Sequence, residues 1–183
     1  MPRIHPVQID QAQPKAKAML EGIHKSLGMT PNMLATIAHS PAALKAYTGF
    51  GQAMSTATLD ASLREQISVG LAGERECGYC ASAHTLLGQG AGVAPDELGL
   101  NLHGESGDPR VQAALRFTLA VASKQGWVSD EDYAAIRQAG FSEGEVIEII
   151  AMVAINTFSN YLNHIAQTEI DFPEVALPQT TTR

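Results

Sequence analysis

Apolar positions recur along most of this chain at intervals of three and four residues, the period of an amphipathic helix. Asp10 precedes Ala16, Met19, Leu20, Ile23 and Leu27, which share one helical face, and Gly28 closes the segment. Thr30-Pro31 and Ser40-Pro41 each set a capping residue before a proline at the first helical position, so two further helices open there. Met33, Leu34 and Ile37 form the buried face of the first, and Leu44, Tyr47 and Met54 that of the second. Ser62-x-x-Glu65 reads as a capping box ahead of Ile67, Val69 and Leu71. Asp108-Pro109 starts a helix through Val111, Leu115, Leu119 and Ala122 that ends at Gly126. Ser129 caps a short helix through Tyr133 and Ile136 that stops at Gly140, and Ser142-x-x-Glu145 boxes a long one to about Gln167. Pro173 and the terminal PQTTTR are expected to lie outside the fold. No stretch of four or more residues alternates apolar and polar between turn signals, so the expected fold is all-α.

Composition narrows the picture without changing it. The 183 residues fit a single domain, divided into N-terminal helices (10–56), a cysteine-bearing core (58–90), a second half (108–170) and a tail (173–183). No apolar run is read as approaching the ~20 residues of a membrane helix, and the N-terminus lacks the basic, apolar and small-residue segments of a secretory signal. A soluble, cytoplasmic protein is expected. Nineteen acidic against twelve basic residues give a formal charge of −7, which provides no footprint for nucleic acid or an anionic membrane.

The chemistry concentrates in GERECGYCASAH, Gly73 to His84, which holds both cysteines of the chain. In a reducing compartment such a pair suits catalysis or metal binding better than a permanent bridge. A thioredoxin-type motif needs a βαβ context that is missing, and haem attachment needs a histidine where Ala81 stands. Zinc could use Cys77, Cys80 and His84, but no second Cys-x-x-Cys or His-x-His closes such a site. The remaining alternative is a pair of inert buried thiols.

If the helix begins near Cys77, Cys80 and His84 are one turn apart on one face, with Cβ atoms ~6 Å apart. Cys77 is two turns from His84, about 10 Å along the axis, so the imidazole serves Cys80. The helix dipole adds to the effect, and Cys80 is expected to be the more acidic thiol and the nucleophile, with Cys77 at i−3 as the resolving thiol. Glu65 could act as an acid–base partner only if the chain breaks within Gly73 to Gly78, since a straight helix would hold it about 18 Å from Cys77. Its role in the capping box is the competing explanation.

Glu65, Cys77-Gly-Tyr-Cys80 and His84 together resemble the Glu-x11-Cys-x-x-Cys-x3-His signature of the alkylhydroperoxidase D family, within the carboxymuconolactone decarboxylase superfamily. The flanking LREQISVGLA and AHTLL look like that family's helical core, and Leu-Gly-Met-Thr-Pro-Asn and His-Ser-Pro-Ala-Ala-Leu resemble its longer peroxidase-related members. The resemblance implies a helical fold in trimers or hexamers and a peroxidase without a bound cofactor. Its hydroperoxide would be reduced through a Cys80 sulfenate and a Cys77–Cys80 disulfide, with Glu65 and His84 as a proton relay and a dithiol such as dihydrolipoamide as electron donor. Tyr79 stands where familiar members carry a relay histidine; it is either an altered relay group or a ring packed at the edge of the site. Decarboxylase chemistry and a non-catalytic zinc-binding module are the alternatives.

A shift of eighty residues carries Ser62, Glu65, Ile67 and His84 onto Ser142, Glu145, Ile147 and His164, and carries Cys77 and Cys80 onto Thr157 and Asn160. Two related helical halves are therefore expected, with chemistry in the first and structural roles for Glu145 and His164. VIEIIAMVAINTF is apolar on nearly every face, as for a helix buried all round or covered by another subunit, which implies a homo-oligomer. His5, His24, His39 and His103 receive no role, and Trp127 is expected to pack beside a helix end.

Overall fold

A computed structural model describes residues 1–178. After a short 3-10 turn at Ile9–Gln11 come α1 (Pro14–Leu27), α2 (Asn32–Ile37), α3 (Pro41–Met54), α4 (Ala61–Glu74) and α5 (Gly78–Gly90). They are followed by α6 (Pro95–Leu102), α7 (Pro109–Ser123), α8 (Asp130–Gln138) and α9 (Glu143–Ala166). Among the described residues there is no strand. The fold is all-α, as its periodicity requires.

Helix α4 is the axis of the molecule: every residue from Gln66 to Ala72 is buried. Its Leu63, Ile67 and Leu71 join Leu115-bearing α7 through Ala114, Phe117 and Val121, and α9 through Val146, Ile149 and Val153. Its other side, Val69 and Ala72, packs with Cys77, Cys80 and Ala81 of the next segment and with Leu98 and Leu102 of α6. A separate cluster of Ala16, Leu20, Ile37, Ala38 and Leu44 holds the N-terminal helices. Because α4 touches both main clusters, any residue on it is held rigidly in place.

Several boundaries differ from expectation. Helix α1 starts at Pro14, after the 3-10 turn that contains Asp10. Thr30 caps nothing: its hydroxyl meets His24 Nδ1, and the amide of Asn32 is taken instead by Asp171 Oδ2 at 2.8 Å, from the far end of the chain. Ser62 and Glu65 do not form a capping box. Asp60 is the N-cap of α4, accepting from Leu63 N at 2.9 Å and from the Ser62 hydroxyl at 2.6 Å. The Ser142–Glu145 box is present. Helix α6 went unread, although Pro95 at its first turn with Asp96 and Glu97 behind it is a start signal.

Trp127 does not pack beside a helix end; it is 87% exposed. The segment after Pro173 does not leave the fold either. Ile170, Phe172, Val175 and Leu177 lie on the cysteine cluster, and Val175 N donates to Ser82 Oγ at 3.1 Å. The rest of PQTTTR, from Gln179, lies outside the described residues. Helix α9 is 24 residues long and contains an 18-residue window with a mean hydropathy of 1.2, long and apolar enough by those measures to cross a membrane, contrary to the reading of the sequence. Its inner face is nonetheless occupied by α4 and α7, while Ile147, Ile150, Phe158, Tyr161 and Ile165 form an exposed outer stripe. It is therefore not buried all round within one chain.

Candidate functional site

The site exists because α4 stops. Arg75 leaves the helical region at φ −91° and ψ 1°, Glu76 takes a left-handed φ of +53°, and Cys77 N bonds back to Ala72 O at 2.9 Å. Neither bracketing glycine makes the turn. Gly73 is needed for another reason: a Cβ there would stand 2.0 Å from the carbonyl oxygen of Leu102, so its absence lets α6 press against the end of α4. Three groups hold the turn from elsewhere. His164 Nε2 donates to Arg75 O at 2.8 Å, the Arg75 guanidinium donates to Tyr161 Oη at 2.9 Å, and it also reaches Ala122 O.

The reversal lays α5 against α4 and brings Glu65 back to the cysteine helix. Glu65 Oε2 lies 2.7 Å from His84 Nδ1, both side chains about one-fifth exposed. A carboxylate accepts, so Nδ1 carries a proton towards Glu65 and Nε2 is left outside this contact. Freed from the expected capping box, Glu65 has this imidazole as its partner.

Cys77 is the N-cap of α5, and its sulfur accepts the backbone N–H of Cys80 at 3.3 Å. Both cysteines are free and buried. The hydrogen bond from the Cys80 thiol holds Cys77 down at about 6, aided by the Cys80 backbone amide and the nearby His164. The Cys80 thiol is pushed up, first by donating to Cys77, then by burial and by the Cys77 charge. This corrects the expected order of acidity. The cap position, with its free amides, belongs to Cys77, whereas the expectation assigned the benefit of the helix N-terminus to Cys80. The contact between the two sulfurs favours a negative charge on Cys77 over one on Cys80.

Access divides the pair the other way. A cavity of about 320 Å³ is lined by Cys80 and His84 at one end and by Leu27, Met29, Met33, Leu34, Leu86, Leu87 and Phe172 along its walls; Cys77 does not line it. Tyr79 borders the same cavity, but its hydroxyl accepts Met33 N at 3.1 Å and its ring meets Phe172 edge-on at 5.5 Å. Burial raises its pKa, so it stays protonated and packs at the edge. Tyr47 of α3 also lines the cavity, its hydroxyl raised to about 12 chiefly by burial. On the far side of His84 and Glu65 a second, more polar cleft of about 260 Å³ contains Arg64, Ser55, Ser68 and Asn156.

Tyr47 and the amides of α9 were not singled out as site residues. Asn163 Nδ2 donates to Cys80 Sγ at 3.3 Å, and Asn156 Nδ2 donates to Ser68 Oγ at 3.1 Å. The signal was available: Asn156, Asn160 and Asn163 occupy one face of an otherwise apolar helix. Glu145 pairs with Arg110 at 2.6 Å and His164 binds Arg75 O, so both act within the fold. Among the described residues no three His, Cys, Asp or Glu side chains converge as metal ligands.

The all-α fold is similar to that of several solved structures. A peroxidase-related protein with an alkylhydroperoxidase D core, from Ralstonia eutropha, superposes with a TM-score of 0.83 at 22% identity, covering 92% of this chain and 93% of its own. A peroxidase-related protein from Silicibacter gives 0.79 at 19% identity, with 91% and 92% covered. The debrominase Bmp8, as a cysteine-to-alanine variant in complex with 2,3,4-tribromopyrrole, gives 0.78 at 22%, with 92% and 91% covered. No curated protein matches. Residues 41–120 match the carboxymuconolactone decarboxylase family. The match spans less than half of the chain, and the solved structures share its all-α fold.

Proposed function

We propose that this chain is a thiol-dependent peroxidase for apolar organic hydroperoxides, with Cys80 as the attacking thiol. The observation that carries the reading is the convergence of Cys80 and the Glu65-held imidazole of His84 at one end of an apolar cavity. In the resting pair Cys77 bears the charge. As substrate enters, the Cys80 proton passes to His84 Nε2, and the Cys80 thiolate attacks the terminal peroxide oxygen. The O–O bond breaks, Cys80 becomes a sulfenic acid, and the alkoxide leaves as alcohol with a proton supplied by the imidazole. Cys77 then attacks Cys80 Sγ, water departs, and a Cys77–Cys80 disulfide remains.

An external dithiol, for which dihydrolipoamide is the expected type, reduces the disulfide. Attack at cavity-facing Cys80 releases Cys77, and the sulfur stabilised at a helix cap is the better leaving group. Two thiols and one hydroperoxide thus become one disulfide, one alcohol and one water, and the external dithiol restores the start. The exposed α9 stripe supports a homo-oligomer, a trimer or hexamer, in which a second copy covers it.

The test is a screen of hydroperoxides of increasing apolar size against several dithiol donors. The reading expects turnover that improves from hydrogen peroxide to bulky organic peroxides, with one alcohol formed per disulfide. Reductive loss of halide from a halogenated pyrrole with no peroxide turnover would replace it with the chemistry named for the debrominase.

A further inference from the structure

Building on that reading, we infer that Asn163 is a catalytic residue, whose amide holds the negative charge on Cys80 when the proton has left. Cys80 is 2% exposed and belongs to an apolar cluster with Val69, Ala72, Val93 and Leu98, so a thiolate there has little water to stabilise it. Its neighbour Cys77 is the competing anion and repels a second charge. A donor must come from outside α5, and α9 supplies it: Asn163 Nδ2 at 3.3 Å from the sulfur, with the softer Met33 Sδ at 3.4 Å as its other acceptor among the described residues. A hydrogen bond to an anion is shorter and stronger than one to a neutral thiol, so this contact strengthens as Cys80 ionises.

Asn163 is costly as a packing residue. It is 5% exposed and its Oδ1 has no hydrogen-bond partner, a desolvation penalty that leucine would not carry. One turn before it, Asn160 is also buried; its amide makes no hydrogen bond of ordinary geometry, and it lowers both thiols. The amide face of α9 is therefore turned towards the sulfurs at the expense of its own satisfaction. The titratable groups around Cys80 are Cys77, His84, Tyr79, Tyr47 from α3, and Glu65 through the imidazole. None of them is an ordinary donor aimed at this sulfur.

The test uses the Cys77→Ser chain, in which Cys80 is the sole thiol, and follows iodoacetamide alkylation from pH 5 to 11. Adding Asn163→Leu should move the midpoint for Cys80 up by about one unit and slow its alkylation at neutral pH roughly tenfold. An unchanged midpoint overturns the inference. If the leucine variant loses its helical circular dichroism, Asn163→Ala, which removes the donor without adding a charge, carries the test with the same expectation and the same refutation. Alkylation needs no peroxide, so the two claims separate. A shifted midpoint without peroxide turnover keeps the role of Asn163 and removes the peroxidase; turnover without a shift does the reverse.

Discussion

Residues 62–84 and 142–164 carry Ser, Glu, Ile and His at identical spacing, yet in the first the acid and the imidazole are 2.7 Å apart and in the second they never meet. Helix α9 runs unbroken from Glu143 to Ala166, which separates Glu145 from His164 by roughly 28 Å along its axis. The difference lies in the middle of each stretch. Val153 to Phe158 has no glycine and continues the helix, whereas Gly73 to Gly78 contains a glycine pressed against Leu102 and a glutamate in the left-handed region. The second stretch then serves the first. Its His164 and Tyr161 pin the turn at Arg75, and its Asn163 reaches Cys80. Equal spacing means equal chemistry only where the chain path is also equal.

The strongest way to break this comparison is to neutralise each acid. Glu65→Gln keeps the shape but removes the carboxylate that orients His84, and it should lower peroxide turnover by about 10² or more, with little change in melting temperature. Glu145→Gln should do the opposite: near-normal turnover, and a loss of about 1 kcal/mol in a urea melt from the weakened cap and Arg110 pair. Comparable activity loss in both would mean that α9 contributes an acid to the chemistry.

A second way is to titrate the thiols. Cys77 is lowered to about 6, so it is thiolate above that pH and thiol below it. Its alkylation, slowed at every pH by burial, should be flat above pH 7 and fall about tenfold per unit below pH 5, while that of Cys80 still rises through neutral pH, as read by mass spectrometry of the two labelled sites. Equal profiles would remove the asymmetry assigned to the helix cap.

The third is local packing. Gly73→Ala places a methyl into the Leu102 carbonyl and should cost roughly 3 kcal/mol in chemical denaturation. Gly22→Ala, in α1 with nothing within 4 Å, should stabilise by about 0.5–1 kcal/mol. If the two behave alike, the approach of α6 is not what shapes the end of α4.

Most helices were legible because their signals are local. Ser40, Asp108, Ser129 and Ser142 each cap the helix that their sequence announces. So was the set Glu65, Cys77, Cys80 and His84, because a break before Cys77 was the condition for Glu65 to take part and the break is there. The rest depends on partners far along the chain. Asp171 takes the amide that Thr30 was expected to serve, 139 residues from Asn32, and no nearby pattern encodes it. The covering of the cysteine helix by Val175 and Leu177 is equally remote. The acidity of the thiols was misjudged for a different reason. Spacing from His84 does not report the contact between the two thiols, which lowers Cys77 most, with the backbone N–H of Cys80 adding to it.

The central claim is that Cys80 attacks although Cys77 bears the resting charge, because only Cys80 lines the cavity. The most direct measurement treats Cys77→Ser and Cys80→Ser with one equivalent of an organic hydroperoxide and traps sulfenic acid with dimedone for mass spectrometry. The account predicts one equivalent consumed and a label on Cys80 in the first variant, and neither in the second. A label on Cys77 in the Cys80→Ser chain, with peroxide consumed and the Cys77→Ser chain inert, would contradict it.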